Sequence, residues 1–293
     1  MDHKSGFVNI VGNPNVGKST LMNRLVGERI SIITSKSQTT RHRIKGIVNS
    51  DRFQIVFSDT PGVVKPSYKM QEYMLEFSKS ALADADVILY VTDTVEDCKK
   101  NSDFIEKVAR SEAPVLLVIN KIDLTTQEKL VDLIDNWQAL IPRAEFFPIS
   151  ATENFNIDNL YKRILELLPE GEPYFPKDEL TDLPARFFVN EIIREKILLH
   201  YDKEIPYSVE VGVEEFKEEE KRIEIRAVVY VERDSQKGII IGHKGEALKK
   251  VGTEARKDIE IFFGKSVFLN LYVKVQKDWR SREQDLKHFG YIQ

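Results

Sequence analysis

Short unbroken apolar runs at Phe7–Val11, Val87–Val91 and Val115–Ile119 predict strands buried on both faces. Ile44–Asn49, Gln54–Ser58 and Phe146–Ile149 are also strand-like. Between them, apolar positions recur at helical spacing from Ser19 to about Val26, over Gln71–Ala83, and near 101–111, 126–140 and 156–168. This alternation predicts an α/β layer architecture around a mostly parallel sheet.

The pattern changes after a stretch that holds Pro169, Gly171, Pro173, Pro176 and Pro184. Proline blocks both helix and central strand, so an extended linker is expected there. We divide the chain into a first domain at 1–170, a linker at 171–184 and a second domain at 185–293. Ala185–Tyr201 reads as a helix. Tyr207–Phe216 and Ile223–Glu232 read as strands joined by the charged turn Lys217–Arg222 and hence antiparallel. A short apolar run, a Gly-x-x-Gly, a long helix over Glu246–Phe263 and a last strand over Val267–Val275 complete an α-β-β-α-α-β order.

The 293 residues are 42% hydrophobic and 31% charged, which fits two globular domains and excludes disorder as the dominant state. One cysteine, Cys98, excludes an internal disulfide and a multi-cysteine zinc site, and suits a reducing cytosolic setting. No apolar run approaches the length of a membrane span, and the first residues lack the core of a signal peptide. The net charge of −4 argues mildly against a nucleic-acid ligand until it is resolved by position. Residues 204–224 hold 3 basic and 8 acidic side chains, whereas 233–287 hold 13 basic and 8 acidic. The sum conceals a polarised second domain, one face of which can meet phosphate.

Gly12-Asn13-Pro14-Asn15-Val16-Gly17-Lys18-Ser19-Thr20 follows a strand and opens a helix. This is the context that a phosphate-binding loop requires. Its glycines let backbone N–H groups turn toward phosphate oxygens, and the helix adds the positive end of its dipole. Lys18 can reach the β- and γ-phosphates, and the Ser19 hydroxyl can ligate Mg²⁺. The loop leaves adenine and guanine nucleotides open. Asn120-Lys121-Ile122-Asp123, at the carboxyl end of an apolar strand, favours guanine. The Asp123 carboxylate can accept from the ring N–H and exocyclic amine of guanine, a donor pair that adenine does not offer. Asn120 can bridge base and phosphate loop, and the Lys121 stem can cover the purine.

Asp59-Thr60-Pro61-Gly62 places a carboxylate for Mg²⁺ and an N–H, at Gly62, for the γ-phosphate. In Gln38-Thr39-Thr40-Arg41, either Thr39 or Thr40 is expected to meet Mg²⁺ when the γ-phosphate is present. Ser150-Ala151-Thr152 can offer N–H groups to the guanine carbonyl. Lys18, Thr39, Thr40 and Gly62 are the candidate catalytic residues. Val63 stands where a water-orienting glutamine would be sought, so slow intrinsic turnover is expected.

Over its first 170 or so residues the chain resembles the TrmE–Era–Der group of GTPases. The resemblance implies a doubly wound sheet that binds GTP with Mg²⁺ and hydrolyses it. It also implies a role for Asn15 in holding K⁺ near the phosphates.

In the second domain, Ile241-Gly242-His243-Lys244-Gly245 sits in an element order that resembles the bacterial, type II KH fold, a smaller α+β domain. Such loops clamp a sugar-phosphate chain closely. Ile239, Ile240 and Ile241 are expected to form an apolar wall for bases, with Lys249, Lys250 and Arg256 on the next helix supplying charge. Trp279 is read first as packing for the C-terminal tail, and second as a stacking element. One GTPase domain followed by one KH domain resembles the Era family over essentially the whole chain. The resemblance implies binding at the 3′ end of small-subunit ribosomal RNA, a part in small-subunit assembly, and a cytoplasmic monomer. Two alternatives are an RNA-binding assembly factor with little turnover and a peripheral membrane GTPase at the inner face of the cell membrane.

Overall fold

A computed structural model of the chain describes residues 3–292. It divides into two compact units, residues 1–67 with 71–182 and residues 68–70 with 183–293.

The first unit is built on a six-stranded sheet. Its strands are β1 (Lys4–Val11), β2 (Ile44–Asn49), β3 (Phe53–Asp59), β4 (Val87–Asp93), β5 (Val115–Asn120) and β6 (Glu145–Pro148), in spatial order β2-β3-β1-β4-β5-β6. Only the β2–β3 pair is antiparallel. Every residue of β4 and β5 is buried, which explains their unbroken apolar character. Helices α1 (Lys18–Val26) and α5 (Ile157–Leu167) cover one face through Leu21, Met22, Leu25, Leu160 and Ile164. Helices α3 (Ser102–Arg110) and α4 (Gln127–Leu140) cover the other through Phe104, Ile105, Val108 and Trp137. Helix α2 (Lys69–Ala83) also belongs to this second face through Ala81. The sheet is therefore doubly wound, and the parallel strands all end on one edge, where ligands of such sheets bind.

The proline-rich segment expected as a linker is packed on the first unit. The Ile47 N–H of edge strand β2 donates to Leu180 O at 2.8 Å. The fully buried Gln54 accepts from the Tyr174 and Phe175 N–H groups (2.7 and 3.0 Å) and donates to Phe175 O (2.8 Å). An extended chain leaves its peptide groups unpaired, and an open sheet edge can pair them. The segment thus runs along the first unit through bends and a turn at Pro176–Glu179, rather than as a free linker.

The second unit holds a three-stranded sheet, β7 (Glu210–Glu218), β8 (Arg222–Val231) and β9 (Ser266–Val275). β7 and β8 are antiparallel, and β8 and β9 are parallel. Helices α6 (Ala185–His200), α7 (Asp234–Ile241) and α8 (Glu246–Phe263) supply its core. Val189, Ile193 and Ile197 of α6 and Val251, Ala255 and Ile259 of α8 recur every four residues and meet Ile225, Ala227 and Val229 of β8. The strand expected from Tyr207 starts at Glu210, because Pro206 sits in a 3-10 turn over Ile205–Tyr207. A last helix, α9 (Glu283–His288), was not legible in the apolar pattern. Trp279 is fully buried and donates to Ser208 O at 3.0 Å, so it packs the tail and offers no stacking face.

Candidate functional site

The carboxyl ends of β1, β3, β4 and β5 bring the first domain's candidate residues to one rim. A cavity of about 430 Å³ opens there, lined by Pro14, Asn15, Gly17 to Thr20, Thr39, Thr40, Gly62 and Lys121 among others. Ile32 and Ile33 form part of its wall and had no signal in the sequence.

Lys18 is buried and its ammonium donates to Asn13 O at 2.8 Å. Burial pushes its pKa down to about 8, against the opposing charges of Asp59 and Glu96. An ammonium held this way gains from a phosphate nearby.

Asp59 ends β3 and is fully buried. Its Oδ2 accepts from Ser19 Oγ at 2.6 Å and from Thr40 Oγ1 at 3.3 Å, and the two hydroxyls are 2.9 Å apart. Burial raises its pKa, with the Lys18 ammonium and the hydroxyls opposing. Asp59 Oδ1 is buried without a hydrogen-bond partner. Two hydroxyls, one carboxylate and an unpaired carboxylate oxygen are a hard-oxygen set. They suit Mg²⁺ shared with substrate phosphates better than a closed protein cage. The described residues contain no cluster of three His, Cys, Asp or Glu side chains that could hold a metal.

Thr39 is set apart from this cluster: its hydroxyl donates to Lys36 O at 2.6 Å and lies 2.7 Å from Thr34 Oγ1. The Thr60 hydroxyl also turns away, donating to Ile10 O at 2.8 Å, and Pro61 O accepts from Ser78. Gly62 remains on the cavity wall.

Asn120 joins two loops. Its Nδ2 donates to Val16 O at 2.9 Å, and its Oδ1 accepts the Ala151 N–H at 3.0 Å. Lys121 adopts a positive φ of 62° and donates to Asn15 O at 2.6 Å and to Asp93 at 2.7 Å. Asp93, at the end of β4, is a partner that sequence reasoning missed. Asp123 lies in a short 3-10 turn with its carboxylate exposed. Ser150 is buried, with its hydroxyl near Thr152 (3.2 Å), and its N–H and carbonyl pair with Phe155 (3.3 and 3.0 Å).

In the second domain, α7 ends at Gly242 (φ 73°), and Gly245 (φ 80°) opens α8. His243 and Lys244 between them are exposed, as are Lys249 and Lys250. Arg256 is less free, since its guanidinium donates along the helix to Glu260 at 3.0 Å. The expected wall of three isoleucines is corrected. Ile240 is fully buried in the core, Ile239 is half exposed, and Ile241 is intermediate. Consecutive residues of a helix are about 100° apart, so they cannot share one face.

A phosphate loop, an oxygen cluster, a guanine-compatible strand end and a separate Gly-x-x-Gly unit together define a GTPase carrying a KH domain. The family described as 50S ribosome-binding GTPase matches residues 7–121, and the KH domain family matches residues 204–280. A crystal structure of Era in complex with MgGDPNP and nucleotides 1506–1542 of 16S ribosomal RNA is 42% identical, with a TM-score of 0.94. That match covers 99% of this chain and 100% of the other. An Era variant of Aquifex aeolicus bound to GDP and AlF4⁻ matches with the same identity, TM-score and coverage. The chain belongs to the Era family of GTPases.

Proposed function

We propose that this chain is a GTP-hydrolysing switch that binds the 3′ end of small-subunit ribosomal RNA and assists small-subunit assembly as a cytoplasmic monomer. The observation that carries the reading is the Ser19–Thr40–Asp59 oxygen cluster beside the buried Lys18, in a chain that also presents exposed cations around Gly242–Gly245. The RNA assignment draws on the relative bound to 16S ribosomal RNA.

Ser19, Thr40 and Asp59 would hold Mg²⁺, which when bound would supply positive charge to neutralise charge developing on the phosphates. Lys18 and the N–H groups of Asn13 and of Asn15 to Ser19 hold the β- and γ-phosphates. The Gly62 N–H addresses the γ-phosphate. Asp123 selects guanine, and Asn120 keeps the base loop and phosphate loop in register. Val63 supplies no group to orient water, which suits slow turnover that other contacts can raise. Exposed Asn15, also at a positive φ, is where K⁺ would add charge; equal turnover in K⁺ and Na⁺ at equal ionic strength would exclude that role.

γ-Phosphate contacts order residues 34–44 and 59–75, and hydrolysis releases them. If the RNA-competent state binds GTP better, RNA must raise GTP affinity by the same factor. The reading is tested by measuring GTP turnover of wild type and Lys18→Ala with and without an RNA of the 3′ small-subunit sequence. Turnover that depends on Lys18 and GTP affinity that rises with RNA are expected. Turnover unaffected by Lys18→Ala would reject the site, and unchanged GTP affinity would reject direct coupling. Among the described residues no helix is long and apolar enough to cross a membrane.

A further inference from the structure

Asn101 precedes α3 and adopts a left-handed backbone, φ 58°. An asparagine in front of a helix ordinarily turns its side chain onto the first helical N–H groups. This one makes no such cap. Its Nδ2 instead reaches two residues far away in sequence. It donates to Asn13 Oδ1 at 2.6 Å and to Val63 O at 2.9 Å. Both hydrogens of the amide are thereby used, one on the phosphate loop and one on the segment after Asp59-Thr60-Pro61-Gly62.

Val63 is held at its other peptide group as well. Its N–H donates to Gly12 O at 3.1 Å, and its side chain is 3% exposed. Gly62 lies so close to the phosphate loop that a Cβ there would stand 2.7 Å from Pro14. The Gly62–Val63 peptides are therefore pinned to the loop by direct contact on one side and by Asn101 on the other. Val63 has no side chain able to orient water. The backbone of this segment is then the part of it that can address the γ-phosphate, and its placement sets how well it does so.

We infer that Asn101 is a positioning residue for GTP hydrolysis, linking the Val63 carbonyl to Asn13 so that the preceding Gly62 N–H meets the γ-phosphate in register. The inference rests on reading the first domain as a GTPase. A residue that merely filled hydrogen bonds would change stability and nucleotide binding together. A positioning residue changes the chemical step more than binding.

The test compares wild type, Asn101→Gly, Asn13→Ala and the double variant, all full-length. Glycine keeps the left-handed backbone without strain and removes only the amide. Asn101→Gly should lower kcat about ten-fold, the scale expected when one γ-phosphate contact is misplaced. KM for GTP and affinity for GDP should stay within about two-fold of wild type. Amide exchange at residues 62–65 should quicken with a GTP analogue bound. The double variant should be no slower than the slower single variant, because each single change already breaks the Asn101–Asn13 bond. A wild-type kcat in Asn101→Gly, a loss confined to KM and GDP affinity, or additive effects would overturn the inference. Wild-type protein without turnover would overturn the GTPase reading along with it. Turnover in wild type with no change in Asn101→Gly would overturn this inference alone.

Discussion

Thr40 Oγ1 lies 3.3 Å from Asp59 Oδ2, and both groups touch the Ser19 hydroxyl, whereas the adjacent Thr39 hydroxyl is bonded within its own loop. The two threonines therefore differ in role although the sequence presents them as equals. Thr40→Ala should weaken Mg²⁺-dependent binding of a GTP analogue by about ten-fold, the size of one charge-assisted contact. GDP affinity should hold, because under the proposed function the Thr40 hydroxyl meets Mg²⁺ only when the γ-phosphate is present. Thr39→Ala should weaken the analogue by no more than about two-fold, by loosening the loop through Lys36 and Thr34. Titration of both variants with a fluorescent analogue and with GDP checks the split; equal losses would reject it.

Asn120 gives a prediction about stability as well as binding. Its amide pairs the Val16 carbonyl and the Ala151 N–H, and all of these groups are buried. Asn120→Ala strands a donor and an acceptor, at a cost of about 2 kcal/mol to the first unit. The expected result is a lower thermal midpoint for the nucleotide-free protein, with guanine nucleotide affinity reduced further than the stability loss explains. An unchanged midpoint would mean that the two loops hold their positions without this bridge.

Glu96 carries the pH dependence. It follows β4, accepts from the Thr92 hydroxyl at 2.6 Å, and sits near Lys18. Burial raises its pKa more than Thr92, Asn13 and Lys18 lower it. The folded protein thus keeps this proton to higher pH than the unfolded chain does. Stability falls as pH rises through the window between the two values, and above it the whole cost of a buried carboxylate is present. Glu96→Gln keeps an acceptor for Thr92 and removes the charge. The variant should melt higher than wild type at about pH 8, and the gap should narrow toward about pH 5. A gap that does not change with pH would show that folding does not shift the Glu96 pKa.

The parts of the site legible in the sequence are those whose chemistry is local. The phosphate loop, Asp59 and Asn120 each sit at the end of an apolar strand, and the parallel topology carries all three to one rim. Thr40 could not be separated from Thr39, because only the path of the loop decides which hydroxyl reaches Asp59. Asn101 left no trace, because its meaning lies in contacts to Asn13 and Val63 across long separations. The Ile239–Ile241 wall failed for a different reason: the three are consecutive residues in the last turn of α7 and point about 100° apart. The proline-rich segment forms no helix and turns at Pro176–Glu179, and the unpaired edge of β2 and the polar end of Gln54 decide where it lies. Such pairings need the tertiary structure, whereas apolar strands and glycine-rich turns announce themselves.

The Gly-x-x-Gly corner separates a folding glycine from a binding one. At Gly242, φ is 73° and a Cβ would stand 2.6 Å from Ala247 Cβ, at the junction of α7 and α8. At Gly245, φ is 80°, but a Cβ would meet nothing within 4 Å. Left-handed backbone is best tolerated by Asn and Asp after Gly, so Gly245→Asp should fold. Its carboxylate would then project from the loop that bears His243 and Lys244, where a sugar-phosphate chain is proposed to approach. RNA affinity should fall by more than ten-fold, about the cost of placing one negative charge beside a phosphate and blocking close approach. Gly242→Ala should instead lower the thermal midpoint of the second unit. Separately, Lys249→Ala should reduce affinity modestly and lower the slope of log affinity against log salt by about 0.7, the value for one phosphate contact on a single strand. Filter binding across a salt series, with melting curves for each variant, distinguishes these effects. Intact RNA binding by Gly245→Asp would place the RNA elsewhere on the domain.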